Sequence, residues 1–261
     1  MGKLIAAVAA ALALATPAQF LHAHQGADGG FADRDGRAYP QLTAWAALGL
    51  RAQRGDTGKA LAYLTAHEDE LSSATDVALG ALSEAALGRD PAALLARLPA
   101  SPAQINAAIW GVLAYRQSGR RAPSAYVAYL LRAQARSGGF SWYRGGKPDS
   151  NDTAAAIQAM RAAGVHGLRI ARAVAFLRTF ERNDGGFELE HGRGSDAQST
   201  AWAIQAFVAA GVKPPPRAFA YLRSLRRADG SYRYSRAYAA TPVWVTAQVL
   251  PALARKPYPL R

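Results

Sequence analysis

Residues 176–211, FLRTFERNDGGFELEHGRGSDAQSTAWAIQAFVAAG, read as a helix, a double-glycine turn, a polar loop and a second helix. In the first helix Ile170, Val174, Leu177 and Phe180 recur at helical spacing. Arg169, Arg172, Arg178 and Arg182 fill much of the remainder, so one face is buried and the other wet. The second helix, over 200–210, is apolar nearly all round and broken only by Gln205, a pattern that needs protein on both sides. Gly211 is placed to end it in a left-handed cap. A half-exposed helix followed by a covered one is the unit of a two-layer ring or solenoid.

The unit recurs. An aromatic-Leu pair followed eleven residues later by another aromatic occurs at 20–31 (FLHAHQGADGGF), 129–140 (YLLRAQARSGGF), 176–187 (FLRTFERNDGGF) and 221–232 (YLRSLRRADGSY). Gly29, Gly138, Gly185 and Gly230 share one column, where a positive φ is the reason for glycine. Covered helices follow from Thr43, Thr153, Thr200 and Pro242. Plainer units at 57–88 and 91–119 lie between the first and second copies, which makes six helical pairs and an all-α repeat architecture. The first pair carries the full double-glycine pattern, whereas a free terminal repeat would show a polar capping face, so the pairs are expected to close into a ring.

Residues 1–15 have the order of a secretory signal: Lys3, an apolar run, and Ala13-Leu14-Ala15 before Thr16-Pro17. The run is too short for a membrane span. The expectation is a signal peptide over 1–15, one domain over 16–261, and a secreted or periplasmic protein that is not transmembrane. With no cysteine in 261 residues, disulfides and thiolate metal sites are excluded. The formal charge is +13, with arginine supplying most of the 31 basic residues. These are scattered over outer-helix faces, which suits contact with anionic cell-envelope polymers; no motif calls for nucleic acid.

Helices that alternate in direction put every outer-to-inner link at the same end of the ring. That end gathers Trp142, Tyr143, Phe187, Tyr232, Tyr234 and Tyr238, together with carboxylates such as Asp149, Asp152, Asp184, Glu190 and Asp196. It also presents the N-termini of six inner helices, whose free N–H groups attract anions. The site is expected at this mouth or in the channel below it, and the opposite end reads as structural.

The repeated FLxxxQ…GGF elements resemble the QW-type repeats of squalene and terpenoid cyclases and of protein prenyltransferase β subunits, over essentially the whole of 16–261. The resemblance implies an (α/α)6 toroid of six helical hairpins with a central cavity. DSNDTA, at 149–154, resembles the DxDDTA motif of class II terpenoid cyclases, whose middle aspartate protonates an alkene or epoxide. Asn151 stands at that position and has no acidic proton of useful strength, which argues against protonation-initiated cyclisation. Prenyltransferases of this fold hold zinc through an Asp, a Cys and a His, so the lack of cysteine sets that activity aside.

Asp149 and Asp152 are the catalytic candidates. Asp152 is equally placed to cap its helix, since it aligns with Ser199 and Thr241, while Asp149 aligns with Asp196. At a helix N-terminus the dipole favours a charged carboxylate, which opposes an acid role for Asp152. Trp45, Trp202 and Trp244 share one column near the starts of inner helices, with Trp110 deeper in its own. They pack the layers together or line an apolar channel. The ligand-binding candidates are Trp45, Trp110, Trp142, Tyr143, Phe187, Trp202, Tyr232, Tyr234 and Trp244. His22, His24, His67, His166 and His191 form no ligand spacing, Asp33-Arg34-Asp35-Gly36 reads as an Asx turn, and neither a metal nor a cofactor is expected. The leading expectation is a secreted toroid that binds an apolar, isoprenoid-like or mixed small molecule without cyclase chemistry. A class II cyclase-like enzyme using Asp149 or Asp152, and a scaffold for a protein or envelope partner, are the alternatives.

Overall fold

The computed structural model describes residues 15–33 and 36–260, so all of the expected leader before Ala15 lies outside the described residues. Twelve α-helices alternate between a short outer set and a longer inner set among these residues. The outer helices are α1 (Pro17–His22), α3 (Ala60–Ala66), α5 (Ala92–Arg97), α7 (Ser124–Ala133), α9 (Leu168–Arg178) and α11 (Pro216–Ser224). The inner helices are α2 (Pro40–Ala52), α4 (Ala74–Ala86), α6 (Ile105–Gln117), α8 (Ser150–Ala162), α10 (Ala197–Ala210) and α12 (Pro242–Leu253). Each inner helix packs on the next, and α12 returns to pack on α2, which closes the ring. No described helix is long and apolar enough to cross a membrane.

Closure depends on small residues and on the repeated loops. A Cβ at Gly49 of α2 would stand 2.5 Å from the Ala247 carbonyl of α12, so the seam closes only with glycine there. The first glycine of each double-glycine turn has positive φ, and its bare Cα lies against the start of the next outer helix. At Gly230 (φ +88°) a Cβ would meet the Thr16 carbonyl at 2.5 Å, so the last loop docks on the first helix. Arg226 also reaches the carbonyl of Ala15, the last residue of the expected leader, at 2.8 Å. Gln25 and Gln134, six residues into their repeats, each bridge their own turn carbonyl to the next outer unit. A carboxylate of the first pair reinforces the seam: Asp33 accepts the Val243 N–H at 2.8 Å. Thr241, expected as the cap of α12, has positive φ and makes no side-chain cap bond, and Asp33 takes that role from 210 residues away.

The closing aromatic of each repeat anchors the turn to the inner helix behind it. The N–H groups of Phe31, Phe140, Phe187 and Tyr232 donate to Thr43, Thr153, Thr200 and Thr246 at 2.9–3.0 Å. All four rings are buried. Phe187 and Tyr232 therefore belong to the packing between layers, and the expectation that they meet a ligand is corrected: burying these rings is what ties turn to helix.

At the opposite end the inner helices cap one another. Arg51 bonds the Ala86 carbonyl and Arg161 the Ala209 carbonyl, each satisfying an orphan C=O of a neighbouring helix, and Gln53 adds a second bond to the Leu250 carbonyl of α12. The C-terminal tail then turns into the ring. The Tyr258 N–H donates to Gln158 at 2.8 Å and its side chain is buried, while Leu260 and Gln117 exchange two bonds.

Candidate functional site

The loop end holds a cavity of about 690 Å3. Its rim is a ring of polar side chains from the first turns of successive inner helices. Gln41, Thr75, Asn106, Asn151 and Gln198 are each the second residue of α2, α4, α6, α8 and α10, and Asp76 and Asp152 are the third of theirs. One helical turn lower, at i+4 from Gln41, Thr75 and Asn106, stand Trp45, Leu79 and Trp110. A polar ring above an apolar floor is therefore built by register alone.

Below that floor the channel is filled. Trp45, Trp110 and Trp202 are the sixth residues of α2, α6 and α10 and meet edge to face, with ring centroids 5.2–5.8 Å apart. Tyr258 of the C-terminal tail packs on all three from the far side at 6.0–6.4 Å. The expected column of Trp45, Trp202 and Trp244 is thus corrected: Trp110 completes the layer with Trp45 and Trp202, and Trp244, third in α12, stands a turn nearer the mouth. An open indole-lined channel through the ring is absent among the described residues, and the cavity is a bowl. Trp202 lies in the plug beneath it. Tyr234 lines a separate cavity of about 660 Å3 beside Tyr221 and Asp196. Trp45, Trp110, Trp142, Tyr143, Trp244, Asp149 and Asp152 do line the bowl.

Two loops complete the mouth. Trp142 and Tyr143 are each 64% exposed and stand over it from the α7–α8 link. On the other side a short hairpin of β1 (Phe187–Glu188) and β2 (Ser195–Asp196) carries Leu189 and Glu190 to the wall. The hairpin is held by Glu188, fully buried, which accepts the N–H groups of Gly192 and Gly194 at 3.1 Å each and faces Arg182 and His191. Lys147 pairs with Glu190 across the mouth at 3.4 Å.

The acid pair differs from the sequence expectation. Asp149, not Asp152, is the cap of α8: its Oδ1 accepts the Asp152 N–H at 2.8 Å, as Asp196 accepts the Ser199 N–H at 2.7 Å in α10. Both caps titrate high because burial disfavours the charge; Asp196 is pushed up to about 6. Asp152, at the third helical position, is driven further. Burial, the neighbouring Asp149 charge and a hydrogen bond to the Asp149 carboxyl raise it to about 8. Desolvation and a like charge outweigh the helix dipole, so Asp152 holds a proton at neutral pH and shares it with Asp149. Among the described residues no cluster of three or more His, Asp and Glu is placed for a metal ion.

The sequence reading missed the polar ring of Gln41, Thr75, Asp76, Asn106 and Gln198. For Gln41, Thr75 and Asn106 the signal was present, four residues before Trp45, Leu79 and Trp110 on the same helical face.

No protein-family model and no curated protein sequence matches the chain. Solved structures do. The type II terpene cyclase MstE from Scytonema aligns with a TM-score of 0.70 at 16% identity, over 91% of this chain and 95% of that one. A glycosidase solved in complex with glucose aligns at 0.65 and 14%, over 92% and 94%. The ent-copalyl diphosphate synthase from Streptomyces platensis aligns at 0.61 and 19%, over 83% of this chain and 50% of that one. Other MstE structures hold geranylgeranyl dihydroxybenzoate as substrate. The chain has the all-α toroid fold of the terpenoid cyclases and prenyltransferases.

Proposed function

We propose that this toroid binds one small ligand of mixed character in the loop-end bowl. Its apolar, isoprenoid-like part rests on Trp45, Leu79 and Trp110, and its oxygen-bearing part meets the ring of first-turn side chains. The observation that carries this reading is the register of the bowl: a polar side chain at the start of each of five inner helices, with indoles one turn below. A volume of about 690 Å3 is within the range of small-molecule sites. The ligand of MstE, a geranylgeranyl chain on a dihydroxybenzoate, has the same division into apolar and polar parts.

Asp152 gives that polar part a hydrogen-bond donor. A carboxyl titrating near 8 is protonated at pH 7 but is a weak acid. By Brønsted behaviour it suits donation to a ligand oxygen far better than protonation of a bare alkene. With Asn151 at the position that matches the cyclase acid, this favours binding over cyclisation. Titration of geranylgeranyl dihydroxybenzoate against indole fluorescence tests the reading. It predicts saturable 1:1 quenching that Asn106→Trp, which fills the bowl, removes. Absence of any response, or an equal response in Asn106→Trp, would overturn it.

Export is part of the same reading, motivated by the Lys3, apolar run and Ala13-Leu14-Ala15 order. N-terminal sequencing of periplasm or supernatant is expected to begin at Thr16, and an intact Met1 confined to the cytoplasm would refute it.

A further inference from the structure

We propose that the turn end of the ring, opposite the bowl, carries an anion site built by Arg116, Arg121 and Arg161 that takes a phosphate or diphosphate group. Arg116 lies in the last turn of α6, Arg161 in the last turn of α8, and Arg121 in the link between α6 and α7. All three line a groove of about 590 Å3 bordered by Pro257 and Pro259 of the tail. Arg116 and Arg121 also wall an adjoining groove of about 630 Å3 that reaches Ser124, the first residue of α7. Neither groove is lined by a carboxylate, and none of the three guanidiniums has an ion-pair partner among the described residues.

Helix capping explains part of this cluster and leaves the rest. Arg161 bonds the Ala209 and Val165 carbonyls and meets the His166 ring through Nη1, which fixes its plane and leaves Nη2 free of protein partners among the described residues. Arg116 has a buried Nε without a hydrogen-bond partner, a state that buried polar groups rarely keep. Arg121 stands beside the N-terminus of α7, a ten-residue helix with no side-chain cap. A cation at the positive end of a helix dipole is unfavourable, and a bound anion reverses the sign. Guanidinium forks match phosphate oxygens in pairs, and three of them around one groove, with free N–H groups at its edge, are complementary to a phosphate or diphosphate.

Such a group comes either from a soluble phosphorylated molecule or from a bilayer headgroup, and two arms separate them. Inorganic diphosphate is titrated by calorimetry against the full chain. In parallel the protein is cosedimented with vesicles of phosphatidylcholine alone or with phosphatidic acid. The site predicts 1:1 diphosphate binding that weakens about tenfold or more in Arg121→Gln. Arg132→Gln, an equal charge change at the other end of α7, leaves it intact. Arg116→Lys, which keeps the charge but not the fork, weakens it less than Arg121→Gln and serves where that variant melts early. Diphosphate binding with phosphatidic-acid-dependent cosedimentation assigns the headgroup, and diphosphate binding without it assigns a soluble ligand; either upholds the site. Absence of binding in both arms, or equal weakening by Arg121→Gln and Arg132→Gln, overturns it.

Discussion

Replacing Asp152 with asparagine removes a proton that the folded protein holds and the unfolded chain releases. An aspartyl carboxyl in an unfolded chain titrates near 4, and Asp152 in the folded protein near 8. Between those values the native state binds the extra proton, so stability falls as pH rises through the window and levels off above it. Each unit of separation is worth about 1.4 kcal/mol. Discounting by half for water entry at a half-buried group leaves a cost on the order of 2–3 kcal/mol at pH 8 relative to pH 4. Asparagine keeps the shape and a donor toward Asp149 but cannot charge. Asp196 and Glu84, raised to about 6 and about 7, drift with the same sign but are common to both proteins. Urea unfolding of both proteins at pH 4.5, 6, 7 and 8 therefore isolates the interacting Asp149–Asp152 pair. The two proteins should match near pH 4.5, and Asp152→Asn should be more stable by about 2 kcal/mol at pH 8. A difference that is flat with pH would refute the raised titration and the role built on it.

Three further outcomes follow from the packing. Trp45→Ala should cost about 3–5 kcal/mol in denaturant unfolding because its ring holds together the central plug, whereas Trp142→Ala, at 64% exposure, should stay within about 0.5 kcal/mol. Gly230→Ala should lower the melting temperature more than Gly164→Ala: both glycines have positive φ, but only Gly230 has a backbone carbonyl where the Cβ would go. Asp33→Ala should cost about 1 kcal/mol and speed hydrogen exchange at the start of α12, and unchanged exchange there would remove Asp33 as its cap.

The ring was legible in the sequence because its repeats are imposed by backbone geometry. The glycine column needs positive φ and a missing Cβ at the same time, so substitution is blocked and the spacing survives in four copies. Gly211 ends α10 in the left-handed conformation for the same local reason. Contacts set by three-dimensional neighbours were not legible. Asp149 and Asp152 are both residue types that cap, three positions apart, and only the fold shows which carboxylate reaches the first-turn N–H. The titration of Asp152 depends on how much water the bowl excludes, and sequence alone exposes only the opposing dipole. Asp33 caps a helix at the other end of the chain, a pairing that no local pattern announces. The depth of Trp110 followed once helix starts were fixed, since its rank within α6 equals that of Trp45 within α2.

The central claim is that the bowl holds a small ligand against its polar ring and indole floor. Native mass spectrometry of the chain purified from its own host, beside Asn106→Trp purified identically, tests it most directly. The account predicts a single bound molecule of mixed polarity on the unaltered protein and none on Asn106→Trp. The same adduct on both proteins, or a bare mass for both, would contradict it.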